Sequence, residues 1–358
     1  MEVTKPEPRT AATGGWAYYR LPEEEVYTHV SCQRVKTIKG GHEAVGRERG
    51  VVIAPFEPTA DEPCLLITPD SLQTLPVPDA DDESLDVCVD VTLGHDDYAR
   101  GFNLCHQALT SGSADEVVKK VVMCRRVNLT FTQTPQAKAL FLRACRRLPH
   151  SYVSLWYTPQ SGMWLVATPE FLLVADSEVP RRYYTMALAG TLAYEGRLTP
   201  PAEWTDKNRA EQRLVSATIF EQLTDVAVKV DQSPVHTVKA AHLQHLRTDF
   251  AFEVPRGVKM GQLISLLHPT PAICGLPATA AAAVIKQAEG HSRHYYAGYS
   301  GPIGLAGQTA LFVTLRCMQI DGHNATLYAG GGLMADSDLE DEWQETCRKM
   351  ESILLMVK

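Results

Sequence analysis

The stretch YVSLWYTPQSGMWLVATPEFLLVADSEVPRRYYTMALAGTLA, residues 152–193, decides how this chain folds. It holds three runs rich in aromatic and branched apolar residues, "YVSLWYTP", "MWLVATPEFLLVA" and "RYYTMALAGTLA", separated by short turn-forming segments, and each reads as a strand. Before it, "KVVMCRRVNLTF" reads as another strand, and "DDYARGFNLCHQALTSG" as a helix. After it come long helical patterns at "PAEWTDKNRAEQRLVSATIFEQLTDV" and "MGQLISLLH", then two strands, "QTALFVTLRCMQI" and "ATLYAGGG", and a terminal helix over "SDLEDEWQETCRKMESILLMVK". Runs of strands followed by helices, without strict β–α alternation, predict an α+β fold with large, mostly antiparallel β-sheets. Nearer the start, from Trp16 to about Pro78, short strand-like runs such as "GVVIAPF" and "CLLITP" alternate with turn signals. Residues 1–15, rich in Pro, Thr and Gly, are expected to be a disordered N-terminus, and the acidic "PDADDESLD" (78–86) an exposed connection.

With 358 residues, 45% of them hydrophobic, the chain can bury a large core. Lys and Arg number 34 against 42 Asp and Glu, a net charge of −8. That balance argues against a nucleic-acid backbone as partner, because the longest cationic runs are pairs such as Arg125-Arg126. The nine cysteines are odd in number and form no CxxC, so the expectation is free thiols in a reducing compartment. No apolar leader opens the sequence and no window approaches 18 apolar residues, which leads to the expectation of a soluble, cytoplasmic protein with no membrane partner.

On the terminal helix, Trp343, Cys347, Met350, Leu354 and Val357 share one arc, a core stripe. Glu342, Glu345 and Lys349 gather on a separate arc. Two carboxylates one turn apart can share a hard divalent cation, and a lysine one turn further can meet an anionic group; a solvated face with a Glu–Lys pair has the same spacing. Glu211 begins another helical pattern and by itself is a surface glutamate. Glu170 sits between apolar runs just after a proline; burial there would raise its pKa and suit it to general-acid work. Lys120 opens the "KVVMCRR" strand, where lost hydration favours a neutral amine able to act as a base. An ordinary strand-end charge is the commoner reading for either residue taken alone. "YAGGGLMADSD" lacks the Lys-Ser/Thr of a phosphate loop and fits backbone approaching a ligand carboxylate. His236, His242 and His245 crowd one stretch without zinc-site order. "HPTPAICGLP" (268–277) carries three prolines and delivers a stiff loop to the helix former "ATAAAAVIKQAEG".

Taken in order, "KVVMCRR", "TPEFLL", "LAGT", "DKNRAEQRLV", "HLRT", "HPTPAICGLP", "YYAGYSGPIG", "TLRC", "LYAGGGL" and "EWQETCRKMESIL" resemble the chorismate-utilising enzymes, and within them the isochorismate synthases. The resemblance covers residues 115–358, the chorismate-binding core, and leaves 16–114 as an N-terminal part of the fold with only a weak signature. It implies a single large α+β domain with helices packed around antiparallel sheets, and it implies Mg2+. By motif position the metal would be held by Glu211 and Glu345, with Glu342 as a further ligand or a contact through water. Lys349, Arg316, Tyr328 and the backbone of Gly330, Gly331 and Gly332 would hold a substrate carboxylate. Gly190, Thr191 and His245 would line the ring, and Ala272 would stand beside the path of the attacking water. The family places Lys120 as general base and Glu170 as general acid, the two residues singled out above for protonation reasons. Gln212, where the family usually has histidine, and "AGGG" in place of "AGAG" depart from the pattern. The implied activity converts chorismate to isochorismate for menaquinone or siderophore synthesis, in a monomer. Salicylate synthase, the ammonia-using anthranilate and aminodeoxychorismate synthases, and a catalytically silent ligand-binding homologue are the alternatives; the ammonia-using branch carries a threonine where Ala272 stands.

Overall fold

A computed structural model describes residues 14–79, 86–111 and 118–357. Two antiparallel sheets, each of ten strands among the described residues, face each other. Strands Tyr152–Thr158 and Gly162–Thr168 pair as a hairpin in the first sheet. Their uninterrupted apolar character has a simple cause: both faces are covered. Trp156, Trp164 and Val166 point to the inter-sheet core, while Val153, Leu155 and Leu165 point to a second core on the outer face. Across the sandwich, Tyr152 of the first sheet stacks on Phe312 of the second with ring centroids 4.1 Å apart.

The described helices are α1 (His95–Thr110), α2 (Ala137–Arg147), α3 (Asp206–Thr224), α4 (Met260–Leu267), α5 (Ala278–Glu289) and α6 (Leu339–Leu354). The α2 residues Leu140 and Phe141 and the α6 residues Met350 and Ile353 build the outer core of the first sheet. Tyr98 and Phe102 of α1, Ile285 of α5 and Trp343 of α6 build a third cluster beside Val121 and Met123. Val215, Ile219 and Leu223 of α3 join the main core with Phe250 and Phe252 of the second sheet.

Residues from the first eighty positions are woven into both sheets. Gly15–Arg20 pairs with Tyr152–Thr158 in one, and Gly50–Ala54 pairs with Tyr299–Ile303 in the other. The expected single α+β domain with large antiparallel sheets and outer helices is what the chain forms. Three local expectations change. Gly15, expected to be part of a disordered N-terminus, opens a strand; residues 1–13, like most of the acidic 78–86 segment, lie outside the described residues. The helix expected from residue 201 starts at Asp206, where the Thr205 hydroxyl accepts the Asn208 amide; Pro201–Glu203 forms only a short 3₁₀ turn.

The third change matters most. "MWLVATPEFLLVA" is two strands, Gly162–Thr168 in the first sheet and Phe171–Ala175 in the second. "QTALFVTLRCMQI" likewise divides into Ala310–Val313 of the second sheet and Cys317–Asp321 of the first. The chain therefore steps between layers at Pro169-Glu170 and at Thr314–Arg316. These two steps clasp each other: the Val313 amide donates to the Glu170 carbonyl (3.0 Å) and the Ala167 amide to the Arg316 carbonyl (3.1 Å).

Candidate active site

Both steps open onto one cavity between the layers, lined by Glu170 and Arg316 together with Gly190, Thr191, Glu211, His245, Ala272, Tyr328, Gly330, Gly332, Glu345 and Lys349. Twelve residues expected at a site from motif position thus share one wall. Lys120, Gly331 and Glu342 stand immediately behind it: Lys120 Nζ lies 2.8 Å from Glu211 Oε1, and a Cβ built on Gly331 would be 3.4 Å from Glu342 Oε2.

Lys120 is fully buried at the start of strand Lys120–Phe131, which runs antiparallel to the glycine-bearing strand Asn324–Leu333. Its ion-pair partner is Glu211, but its Nζ makes no well-directed hydrogen bond there, leaving N–H groups for a ligand. Burial pushes the Glu170 carboxyl up to about 7, a rise partly offset by the positive charges of Lys120, Lys349 and Arg316. A carboxylic acid poised there can donate a proton near neutral pH.

The Gly190-Thr191 corner exists because the pairing of Arg182–Ala193 with Leu243–Glu253 slips between Ala189 and Leu192. Gly190 takes φ +73°, and a Cβ on it would meet Asn208 Cβ at 3.2 Å and the Trp204 ring at 3.3 Å. His245 lies opposite. Its Nδ1–H donates to the Gly190 carbonyl (2.8 Å) and its Nε2 accepts from Arg316 (3.0 Å), which fixes the neutral tautomer. Burial, reinforced by Arg316, depresses its pKa to about 3. Arg316 is anchored a second time by Ser352 Oγ (2.8 Å) and sits at φ +47°, unusual for a residue with a side chain, the kind of backbone strain that clusters at functional sites.

Tyr328 is stacked between Trp164 and Tyr296, at 5.4 and 5.6 Å. Tyr296 lines the cavity as well; it belongs to "YYAGYSGPIG" but was not singled out, because its spacing resembles that of any buried strand tyrosine. Ala272 also lines the cavity. The segment behind it, Gly275-Leu276, is zipped onto Lys120-Val121, so the proline loop is registered against the strand carrying Lys120.

Three carboxylates converge on Gly331-Gly332. A Cβ on Gly332 would lie 2.3 Å from Glu211 Oε1, and one on Gly331 would lie 3.6 Å from Glu345 Oε1. Each acid faces a lysine: Glu211 faces Lys120, Glu345 faces Lys349 (2.7 Å), and Glu342 faces Lys207, a partner that sequence reasoning missed. Burial, then the neighbouring charge of Glu345, raises the Glu342 carboxyl. Burial would raise Glu345 too, but the charge and hydrogen bond of Lys349 hold it below the ordinary value. With the acids turned to their lysines, no three acidic, His or Cys side chains among the described residues meet at metal-binding distance. Glu342 Oε2, buried and without a hydrogen-bond partner, and the all-oxygen donor set nonetheless suit a hard divalent cation. Gln212 points away from the cavity, donating to the Ala187 carbonyl (3.2 Å) and Thr248 Oγ1 (3.1 Å), so it ties α3 to the second sheet.

Residues 91–358 match the family described as chorismate binding enzyme, and the chain belongs to that family. The isochorismate synthases EntC and MenF of Escherichia coli are 30% and 31% identical to it, over 68% and 72% of this chain. The matches take in 63% and 60% of those proteins, so the chain spans about three fifths of the curated relatives' length. The solved structure of E. coli MenF, titled as the menaquinone-specific isochorismate synthase, superposes with a TM-score of 0.79 at 22% identity, covering 98% of this chain and 90% of that one, and shares the fold.

Proposed function

We propose that the chain is an isochorismate synthase, converting chorismate to isochorismate. The observation that carries this reading is the pairing, at one buried cavity, of an acid poised near 7 (Glu170) with an amine that has N–H groups to spare (Lys120). The reaction adds a hydroxyl at one ring carbon and removes the hydroxyl two carbons away. Lys120, once deprotonated, takes the proton of the incoming water, and Glu170 gives its proton to the departing hydroxyl. Glu211, Glu345 and Glu342 would hold Mg2+, which supplies charge stabilisation to the ring carboxylate. Lys349, Arg316 and the Gly330–Gly332 backbone hold the pyruvyl carboxylate, and Tyr328 contributes to the same wall. Neutral His245, held by Gly190 and Arg316, borders the ring. Ala272, small and rigidly held, leaves room for water where a threonine would intrude.

The proposal extends to a cytoplasmic monomer whose product feeds menaquinone synthesis; siderophore synthesis, suggested equally by the similarity to EntC, is the other use. The test is incubation with chorismate and Mg2+ followed by separation of products. Isochorismate in equilibrium with chorismate supports the proposal, while salicylate with pyruvate, or no turnover, overturns it.

A further inference from the structure

Strand Lys120–Phe131 carries cavity residues on one face and, on the other, a buried arginine that the proposed chemistry does not use. Lys120 and Val122 face inward, whereas Arg125, 6% exposed, faces outward onto the rear of α6. Its guanidinium lies 4.0 Å from the Trp343 ring centroid. Its Nε donates to Thr346 Oγ1 (2.7 Å), and its Nη2 contacts Cys347 Sγ (3.1 Å) and donates to the Val91 carbonyl (2.6 Å). Two of these α6 residues are chain neighbours of the acids: Trp343 follows Glu342, and Thr346 follows Glu345.

We infer that Arg125 is a positioning residue that fixes the rotation of α6 and thereby the distance of Glu342 and Glu345 from Lys120. At 100° per residue, a helix pinned along the 343–346–347 arc cannot turn its 342–345–349 arc without breaking the pin. The pin is directional, because a guanidinium is planar and forked, so a flexible lysine can replace it only in part and an uncharged chain not at all. Base and metal-ligand candidates then share one ruler: the strand gives Lys120 from its inner face and holds the acid helix from its outer face five residues on.

The inference rests on the proposed Mg2+ site, and its test measures metal uptake directly. Mg2+ alone is titrated calorimetrically into the full chain and into Arg125→Met, Arg125→Lys, Thr346→Val and Met350→Ala, with unfolding midpoints measured in parallel. Met350 lies one turn beyond Thr346 but packs into the outer core of the first sheet and is none of Arg125's partners, so its truncation destabilises α6 without removing a partner of the pin. Arg125→Met is expected to weaken Mg2+ binding about tenfold or more and Thr346→Val several-fold, while Arg125→Lys recovers part of the loss and Met350→Ala stays within about twofold of the parent. Parental affinity in Arg125→Met and Thr346→Val overturns the inference, as does a loss in Met350→Ala that matches theirs. If Arg125→Met does not fold, Thr346→Val against Met350→Ala decides. A parent chain that takes up no Mg2+ overturns the metal site itself, an outcome distinct from equal uptake by parent and variants.

Discussion

Lys120 Nζ stands 2.8 Å from Glu211 Oε1, so the proposed base and a proposed metal ligand are each other's counter-ion. One substitution therefore acts on both. Lys120→Ala should lower kcat by about 10²-fold or more, since that is what a general base contributes. The fold should persist by circular dichroism, because the strand's pairing does not depend on the side chain. Steady-state kinetics with chorismate check it; a variant keeping over about a tenth of the parental rate contradicts the role.

Glu170→Gln preserves shape and removes the proton donor, so turnover should fall by a similar factor. Its stability should move the other way. The folded carboxyl titrates near 7 against an ordinary 4.5, so between those values the folded chain keeps a proton the unfolded chain has lost. The contribution of this group is fully present below about 4.5, falls as pH rises to about 7 and is flat beyond, a total loss of about 3 kcal/mol. Denaturant midpoints should show Glu170→Gln more stable than the parent at pH 8, with the gain gone at pH 4. No difference between the two pH values would show that burial does not perturb this carboxyl.

The same acid should set the alkaline limb of activity. Turnover with chorismate should decline as pH rises through about 7, because the leaving hydroxyl loses its proton source. A pH–kcat profile rising through that region would remove Glu170 from the role.

Gly332→Ala tests the geometry of the acid cluster. The backbone there is not left-handed, so the strand should tolerate alanine, but the new Cβ would fall 2.3 Å from Glu211 Oε1 and 2.9 Å from Lys120 Cε. Glu211 and Lys120 must separate, and activity should drop at least tenfold with little change in unfolding midpoint. Parental activity would show that the carboxylate can swing aside freely.

Chelation gives a coarser check. Excess EDTA should abolish turnover and added Mg2+ restore it; full activity in EDTA would remove the metal from the proposed mechanism.

The cavity residues were legible because ten motifs keep their order along the chain, and each motif brought its residues with it. The layers were less so. A continuous apolar run such as "MWLVATPEFLLVA" has no alternation to reveal where it changes sheet: Trp164 to Thr168 are all buried, and Leu172 and Leu173 are buried side by side. Pro169 was the available signal, because proline cannot donate to a ladder and marks a strand's end. Strand Leu243–Glu253 was also passed over, although Leu246, Thr248, Phe250 and Phe252 are buried at strict alternation; His245 and the charges of Arg247, Asp249 and Glu253 obscured the pattern. Helix α2 carried a helical pattern in Leu140, Phe141 and Ala144 within an 11-residue span easily taken for a connection. Lys207 and Arg125 were invisible as partners because nothing in sequence ties them to Glu342 or Trp343, which lie more than a hundred residues away.

The weaving of the first eighty residues into both layers bears on how such a chain can be cut and recombined. Removing everything before Lys120 would expose Tyr152–Thr158 in one layer and Tyr299–Ile303 in the other as bare borders, each a template for joining a stranger's strand. The cavity-bearing portion is therefore no detachable cassette: a chimera keeping residues 118–357 must inherit matching hems for both layers, or it will find them in neighbouring molecules and precipitate.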